Sequence, residues 1–273
     1  MKDGMRTEDR PTAEVLVPSW ADGTRRERGL VAGFCTRRGG YGTGRFAELN
    51  FSRRWPDPAG AVDRNVALLA DQVGFDLSQM FTARQVHGGT GLACDGRDPE
   101  VVGAQGADFL VCGEPGRVVA VITADCIPVL LWDPDARCVA AVHAGWRGIM
   151  ADVIQNAVSE LVTRYQARAD RLFAAVGPGI DACCFEVGSD VADRFAVRFG
   201  PDVVVTMPGR NPHVDLFTPV AVCLDEAGLS ADRVERLGEC TCCHPDRFFS
   251  YRRDGVGIGQ HLSFIGLLEV VHR

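Results

Sequence analysis

The chain has 273 residues, of which 46% are hydrophobic, so it can form one large α/β domain or two small ones with a substantial core. A formal net charge of −7 argues against binding to nucleic acid or to an anionic membrane surface. The sequence shows neither a signal-peptide core nor an apolar run of membrane length, and its eleven cysteines are an odd number, so we expect a cytoplasmic protein with reduced thiols.

Apolar runs and their periodicity predict a mixture of strands and helices. The polar residues 1–14 predict a flexible N-terminus, ahead of a single domain over residues 15–273. Strands are expected at residues 15–17, 30–35, 107–111, 118–123, 128–132, 138–143, 172–176 and 260–271, with a short strand that ends at His87. Helices are expected at residues 59–73, 145–165, 189–199 and 219–227. This order indicates an α/β (mixed α+β) fold, with a mixed β-sheet core layered with helices.

A glycine-rich loop with two arginines follows the predicted strand at residues 30–35. Residues 36–44 contain four glycines, which permit tight turns and a close approach of the backbone to a ligand. Arg37 and Arg38 within this loop could meet an anionic group. For either arginine taken alone, a solvated basic loop is the simpler interpretation.

Polar side chains stand at the ends of the central apolar runs. Asp125 and Cys126 follow one predicted strand, and His143 ends another. With His87, the cysteine and this histidine make a candidate zinc site, because zinc accepts imidazole nitrogen and thiolate sulfur, and three protein ligands leave one position open for catalysis. From spacing alone, an inert buried cysteine with two structural histidines is the favoured interpretation. A nucleophilic Cys126–His143 pair is a third possibility, which needs the same two groups close together.

A second group of potential ligands lies close together in sequence: Cys240, Cys242, Cys243 and His244. Ligands so near each other do not easily reach one tetrahedral ion, and the usual zinc knuckles separate them by two to four residues. Structural thiols are therefore the favoured interpretation, with a second metal as the alternative. The adjacent cysteines Cys183 and Cys184 are expected to be buried, because a free cysteine behaves as a small hydrophobic side chain.

A series of short motifs occurs in order along the chain. They are Thr36-Arg37-x-Gly39-Gly40, Leu49-Asn50, Gln85-Val86-His87-Gly88, Thr123-Ala124-Asp125-Cys126-x-Pro128, His143-Ala144-Gly145-Trp146-Arg147-Gly148, Gly177-Pro178-x-Ile180, Cys184-Phe185-Glu186-Val187-Gly188 and, after Cys240-Thr241, Phe248-Phe249-Ser250-Tyr251-Arg252-Arg253. Together they resemble the YfiH/laccase-domain family, also called the multi-copper polyphenol oxidoreductase or purine nucleoside phosphorylase-like family. The resemblance covers nearly everything between residues 33 and 266.

The family resemblance implies an enzyme with a single α/β domain. It implies zinc-dependent phosphorolysis of adenosine, inosine, guanosine and methylthioadenosine, which yields the base and a ribose 1-phosphate, together with adenosine deaminase activity. Purine nucleosides and phosphate would then be the partners of a monomer or weak homodimer. Two alternatives come with the same family: a copper-dependent polyphenol oxidase (laccase) and a hydrolase that edits peptidoglycan precursors.

The resemblance also assigns roles to individual residues at the metal centre. It places the metal, zinc or alternatively copper, on His87, Cys126 and His143, which would also serve in catalysis. Asp125 or Glu186 could carry protons during deamination. The simpler roles for these two carboxylates are orientation of a loop for Asp125 and a structural salt bridge for Glu186.

Four further motif residues are candidates for binding substrate or phosphate. Arg37 in the glycine-rich loop and Arg147 at the start of a predicted helix could each hold a phosphate group. Asn50 and Gln85 belong to matching motifs and are candidates for substrate binding. Gln260 stands where the family commonly has Gly-Arg, and this departure leaves the substrate preference open.

The laccase alternative is weaker on chemical grounds. Multi-copper chemistry needs several coppers and many histidines. The chain has His87, His143, His213, His244, His261 and His272. These six are scattered and include no His-x-His pair, so the sequence does not support four-electron reduction of oxygen.

Overall fold

The computed structural model describes residues 10–22, 29–57, 60–206 and 208–269. Its strands are β1 (Val15–Leu16), β2 (Leu30–Cys35), β3 (Met80–Phe81), β4 (Gly91–Ala93), β5 (Phe109–Cys112), β6 (Arg117–Thr123), β7 (Ile127–Asp133), β8 (Cys138–Ala144), β9 (Phe173–Val176), β10 (Val204–Val205), β11 (His213–Val214), β12 (Val234–Arg236) and β13 (His261–Leu267). Its α-helices are α1 (Ala61–Val73), α2 (Pro99–Gly103), α3 (Trp146–Met150), α4 (Val153–Tyr165), α5 (Ser189–Phe199), α6 (Phe217–Glu226) and α7 (Tyr251–Asp254).

Two large mixed sheets form the centre of the fold. The five-stranded sheet has the order β1-β2-β13-β6-β3, and the six-stranded sheet has the order β12-β9-β7-β8-β5-β4. Most neighbours are antiparallel, whereas β3 with β6, β4 with β5 and β9 with β12 are parallel. A separate pair, β10 and β11, lies outside both sheets. The predicted mixed β-sheet core is therefore confirmed.

The two large sheets pack against each other, and helices cover their outer faces. In β6, Val119 and Val121 pack between the sheets, whereas Val118 and Ala120 pack on the side of α1. The residues of β8 alternate in the same way between the sheet interface and the side of α4. Because such strands are buried on both faces, neighbouring positions are all apolar, which accounts for the continuous apolar runs in the sequence.

The helix predicted for residues 145–165 is two helices, α3 and α4. The break falls at Ala151 and Asp152, where Asp152 has a left-handed φ of 58°. Aspartate tolerates this conformation better than most residues, so the apolar periodicity continues across the break although the helix axis does not. The prediction of one helix was wrong at this point.

The short strand predicted to end at His87 was also wrong in its extent. The strand β3 ends at Phe81, and only an isolated bridge between Arg84 and Gly106 continues the pairing. His87 itself has a φ of 60°, a left-handed conformation that cannot continue a strand.

The two ends of the described chain pack against the sheets. The flexible segment predicted for residues 1–14 lies outside the described residues from 1 to 9, whereas Ala13 is buried and exchanges two hydrogen bonds with the side chain of Gln72. The predicted closing strand is β13, which lies between β2 and β6 in the sheet, and residues 270–273 lie outside the described residues. Within the described ranges, no helix has the length and apolar character needed to cross a membrane.

Candidate active site

Three side chains that are remote along the chain converge where β7 begins and β8 ends. Pro128 lies opposite His143 in this antiparallel pair, so Cys126, which precedes β7, lies beside His143. His87 arrives from the loop after β3, and its ring meets that of His143 edge-on with the centroids 4.8 Å apart. The ligand atoms of His87, Cys126 and His143 all lie within 4.8 Å of one another. The structure thus brings the predicted trio together.

No sequence pattern singled out Asp108, yet it holds two members of the trio in place. Its carboxylate is fully buried, and Oδ1 lies 2.9 Å from Nδ1 of His143. The same carboxylate accepts the backbone N–H groups of Val86 at 3.2 Å, His87 at 2.8 Å and Gly88 at 2.6 Å. With Nδ1 of His143 donating to Asp108, Nε2 is the ring nitrogen that remains to hydrogen-bond Cys126 or, when deprotonated, to bind a metal. The one feature of the sequence that could have identified Asp108 is its position, as a carboxylate directly before the buried strand β5.

Ionisation of the trio follows from the pairing of thiol and imidazole. Burial by itself raises the pKa of the Cys126 thiol, but the charge and hydrogen bond of His143, together with His87, lower it to about 6 from the usual 9.0. Burial by itself lowers the pKa of His143, but the Cys126 thiolate and the bond to Asp108 raise it to about 9. Near neutral pH the pair is therefore thiolate and imidazolium, and the sulfur is in the form that binds metals or attacks electrophiles.

Gly145 leaves the space that the trio occupies. A Cβ atom at this position would stand 2.9 Å from Sγ of Cys126 and 3.4 Å from Cδ2 of His87. The residue precedes α3 with a φ of −77°, which any amino acid can adopt. The glycine is therefore required by the proximity of the two side chains and not by backbone conformation.

A cleft of about 670 Å³ opens over the trio. Besides the trio, its charged and aromatic lining consists of Arg53, Arg54, Arg84, Arg252, Asp125, Trp55, Phe185 and Tyr251. Such a volume lies within the range that small-molecule sites usually have. The combination of guanidinium groups and aromatic rings suits a ligand that has an anionic part and a flat ring.

Two of these four arginines form hydrogen bonds or an ion pair within the protein, and the other two do not among the described residues. Arg53 pairs with Asp63 at 2.5 Å, and Arg252 donates to two backbone carbonyls of the loop after β9. Among the described residues, the guanidinium groups of Arg54 and Arg84 have neither a hydrogen bond nor an ion pair. These two are the cations of the cleft that remain available to an anion.

Three of the residues predicted to bind substrate or phosphate do not line the cleft. The guanidinium of Arg37 donates to the carbonyls of Ala47 and Pro245, so it joins two loops. Arg147 is exposed and stacks on the ring of Trp146 at 4.3 Å. Asn50 is fully buried and organises its own loop. In the structure these three side chains therefore contact other parts of the protein and do not face the cleft.

Gln85 and Asp125 do line the cleft. The Gln85 side chain exchanges two hydrogen bonds of 2.8 Å with the backbone of Ile122, so it joins the His87 loop to the end of β6. Asp125 accepts the hydroxyl of Thr241 at 2.7 Å on one oxygen and the backbone N–H of Arg252 at 2.6 Å on the other. Since both oxygens of Asp125 are engaged, this arrangement favours the orienting role over proton transfer.

Two further residues from the sequence motifs, Glu186 and Gln260, differ in their position relative to the cleft. Glu186 is exposed, accepts a hydrogen bond from Asn211 and lies 3.9 Å from Nε2 of His213, which agrees with a structural role. Gln260 lines the cleft, and its backbone N–H donates to Asn50. The position that departs from the family pattern thus lies where it can touch a ligand.

The cleft residues that sequence reasoning missed lie next to motifs that it found. Arg54 and Trp55 follow the Leu49-Asn50 motif after a few residues, and Arg84 directly precedes Gln85. Tyr251 belonged to the Phe-Phe-Ser-Tyr-Arg-Arg motif but received no role. Nothing in the spacing distinguished these positions from solvated loop residues.

The donor set of the trio suits a metal ion. Two imidazoles and a thiolate of low pKa are ligands that zinc and copper accept. Asp108 fixes the tautomer of His143 in the way that carboxylates support metal-binding histidines generally. Fold and site together therefore define a mixed α/β protein with a candidate His/Cys/His metal centre at the base of an arginine-lined cleft.

The chain belongs to the family described as multi-copper polyphenol oxidoreductase laccase, whose sequence model matches residues 31–268. It is similar to a protein named purine nucleoside phosphorylase from Deinococcus radiodurans, 38% identical over 86% of this chain and 88% of that one. It is also similar to a protein named adenosine deaminase from an unknown prokaryotic organism, 35% identical over 87% of this chain and 93% of that one. The family expected from the motifs is thereby confirmed.

Solved structures agree with the fold. The crystal structure of a hypothetical YfiH protein from Bacillus licheniformis superposes with a TM-score of 0.85, at 27% identity, over 95% of this chain and 97% of that one. Other relatives are longer: the chain spans about half, 56%, of a mouse protein named purine nucleoside phosphorylase, to which it is 29% identical over 88% of its own length. The predicted fold class is thereby confirmed.

Proposed function

We propose that the protein is a metal-dependent purine nucleoside enzyme that cleaves nucleosides by phosphorolysis. The observation that carries this proposal is the cleft of about 670 Å³, which is lined by the His/Cys/His trio and by two arginines, Arg54 and Arg84, whose guanidinium groups have no hydrogen bond or ion pair among the described residues. Relatives that bear the names purine nucleoside phosphorylase and adenosine deaminase support the choice of substrate class. Eleven free cysteines support the expected cytoplasmic location, where thiols stay reduced.

His87, Cys126 and His143 would hold zinc, which when bound supplies a concentrated positive charge next to the substrate. Copper-dependent oxidation of polyphenols is less well supported. Among the described histidines, only His87 and His143 share a cluster with other potential ligands. His261 is instead committed to backbone partners, since its Nε2 accepts the N–H of Phe249 at 2.8 Å. A centre with several coppers would need more ligands than the described part of the cleft provides.

Arg54 and Arg84 would hold the phosphate. In phosphorolysis a phosphate oxygen bonds to C1′ of the ribose while the bond from C1′ to the base nitrogen breaks. The phosphate must be held against the sugar, and guanidinium groups bind its oxygens in pairs. Cζ of Arg54 also lies 4.8 Å from the centre of the Trp55 ring, a cation–π contact within the cleft lining.

The aromatic side chains would hold the purine. Trp55 and Tyr251 both line the cleft, and Tyr251 is 49% exposed, so its ring is accessible for stacking. Phe185 adds a buried apolar surface. Stacking on an aromatic ring tolerates any purine. This is compatible with adenosine, inosine, guanosine and methylthioadenosine as substrates, and Gln260 is the residue of the cleft that departs from the family pattern.

Deamination of adenosine is a second candidate, because one relative bears that name. In this reaction water replaces the amino group at C6, and no phosphate is consumed. Both reactions would use the same metal ligands, so phosphate dependence separates them.

The test is product analysis with and without phosphate. Zinc-loaded protein is incubated with inosine or adenosine, and bases and sugar phosphates are quantified by chromatography. Phosphorolysis yields hypoxanthine and ribose 1-phosphate from inosine only when phosphate is present. Base release at the same rate without phosphate would exclude phosphorolysis. Cys126→Ala should lose turnover together with the zinc bound at the trio, and Cys138→Ala, a buried thiol at the other end of β8, is the matched control.

A further inference from the structure

Four cysteines outside the candidate active site converge on one point. The sulfur atoms of Cys183, Cys184, Cys240 and Cys243 all lie within 4.8 Å of one another. Sγ of Cys243 lies 3.4 Å from Sγ of Cys183 and 3.4 Å from Sγ of Cys184. The nearest pairs are far longer than a disulfide bond of about 2.05 Å. All four are free thiols.

We propose that these four cysteines bind a second metal ion, a structural zinc coordinated by four thiolates. Zinc–sulfur bonds of about 2.3 Å in a tetrahedron place the sulfur atoms roughly 3.8 Å apart. The two shortest separations given, 3.4 Å each, are somewhat below that value and none exceeds 4.8 Å, so small rotations of side chains suffice to enclose one ion. An iron–sulfur cluster distributes its thiolates over several iron atoms and needs them further apart.

The sequence separation of two of these cysteines is that of a zinc knuckle. Cys240 and Cys243 form a Cys-x-x-Cys pair, the spacing that structural zinc sites commonly use. The sequence interpretation grouped Cys242 and His244 with them, but in the described structure neither belongs to the cluster. The other two ligands come from the turn after β9, about sixty residues earlier in the chain.

The backbone already holds the two cysteine loops side by side. Gly179 and Cys240 form a parallel bridge, in which Thr241 N–H donates to the Gly179 carbonyl at 3.0 Å. The N–H of Asp181 points to Sγ of Cys240 at 3.5 Å. Backbone N–H groups that donate to sulfur stabilise the thiolate form that a metal requires. The ligands are thus held together before any ion binds.

Positive charge lies next to the cluster. A zinc ion with four thiolates carries a net charge of about −2, which needs nearby cations or N–H donors. Arg253 donates to the carbonyls of Thr241 and Cys242 at 3.0 Å each. Arg252 donates to the carbonyl of Cys184 at 3.0 Å. Both guanidinium groups are therefore attached to the loops that carry the cysteines.

The second ion would brace the wall of the candidate active site. Thr241, which lies between Cys240 and Cys243, donates its hydroxyl to Asp125, the residue before Cys126. Phe185 directly follows Cys184 and lines the cleft. Loss of the ion is expected to loosen both contacts. The proposed site nevertheless shares no ligand with the trio, so metal binding at each site can be measured separately.

Metal content per chain tests the proposal. Protein is purified anaerobically with a phosphine reductant, and zinc is counted by plasma mass spectrometry. Cys243→Ser and Cys183→Ser, both at exposed thiols, should each lose about one zinc per chain. Cys242→Ser, an adjacent thiol outside the cluster, is the matched control and should keep it. Equal zinc content in wild type, Cys243→Ser and Cys183→Ser overturns the proposal.

Two further readouts make the result independent of the candidate active site. After replacement of zinc by cobalt, the sulfur-to-cobalt absorption of a four-thiolate centre should persist in Cys126→Ala and disappear in Cys243→Ser. Alkylation of Cys183 and Cys243, mapped by mass spectrometry, should speed up when a chelator removes the ion. A disulfide between Cys243 and either Cys183 or Cys184 in the reduced preparation, or alkylation that the chelator does not change, also contradicts the proposal.

Discussion

Replacement of Asp108 by asparagine should weaken metal binding at the trio without removing any ligand. Asparagine keeps the size of the side chain but loses the charge and replaces one oxygen by an NH₂ group. That group must then face an N–H, either from His143 or from the backbone of Gly88. The lost charge-assisted hydrogen bond is worth roughly 1.5–3 kcal/mol.

The expected loss of zinc affinity is roughly 10- to 100-fold, the usual effect of removing the carboxylate that orients a metal-binding histidine. That range corresponds to about 1.4–2.7 kcal/mol, in agreement with the hydrogen-bond value. The assay is competitive zinc titration against a chromophoric chelator, with inosine phosphorolysis measured on the same samples. The ligands His87, Cys126 and His143 are all retained, so the effect isolates their orientation.

Asp133→Asn is the matched control for Asp108→Asn. Asp133 is also buried, and its carboxylate also accepts three backbone N–H groups, from Asp135, Ala136 and Arg168, but it lies at the other end of β7. Both variants should lower the free energy of unfolding by a few kcal/mol, on the order of the lost hydrogen bonds. Only Asp108→Asn should lower zinc affinity. Equal affinity in the two variants would refute the assigned role of Asp108.

Three further predictions concern the same cleft. Gly145→Ala should lower zinc affinity on the order of tenfold, because its Cβ would lie only 2.9 Å from Sγ of Cys126. Unchanged affinity in the zinc titration would show that the three side chains can shift to accommodate the methyl group. In metal-free protein the Cys126–His143 ion pair should exist between pH about 6, below which the thiolate gains a proton, and pH about 9, above which the imidazolium loses one. The pH profile of Cys126 alkylation should therefore show a midpoint near 6, and a midpoint near the ordinary thiol value of 9.0 would contradict the pairing. Arg84→Ala should raise the KM for phosphate roughly tenfold or more, whereas Arg164→Ala, an exposed arginine paired with Glu160, should not; initial rates at varied phosphate decide between them.

Local patterns in the sequence were sufficient for most elements of the fold. The apolar runs of β2, β6, β7 and β8 and the periodicity of α1 are properties of a few adjacent residues, and each was predicted within two or three positions. The ends of elements were less predictable where a single residue changes the backbone, as Asp152 does between α3 and α4. A residue with a left-handed conformation leaves no periodic signal.

The sequence by itself singled out Cys126, His87 and His143 as candidate ligands, because these residue types suit zinc and stand within motifs that resemble the family. Only the tertiary structure decided which side chains share a space. The pairing of β7 with β8 places Cys126 beside His143, and the same fold supplies Asp108 and Arg84 while turning Arg37 and Arg147 elsewhere. The physical reason is that strand pairing and loop packing join residues far apart in the chain, and their side chains meet only after those long-range contacts form.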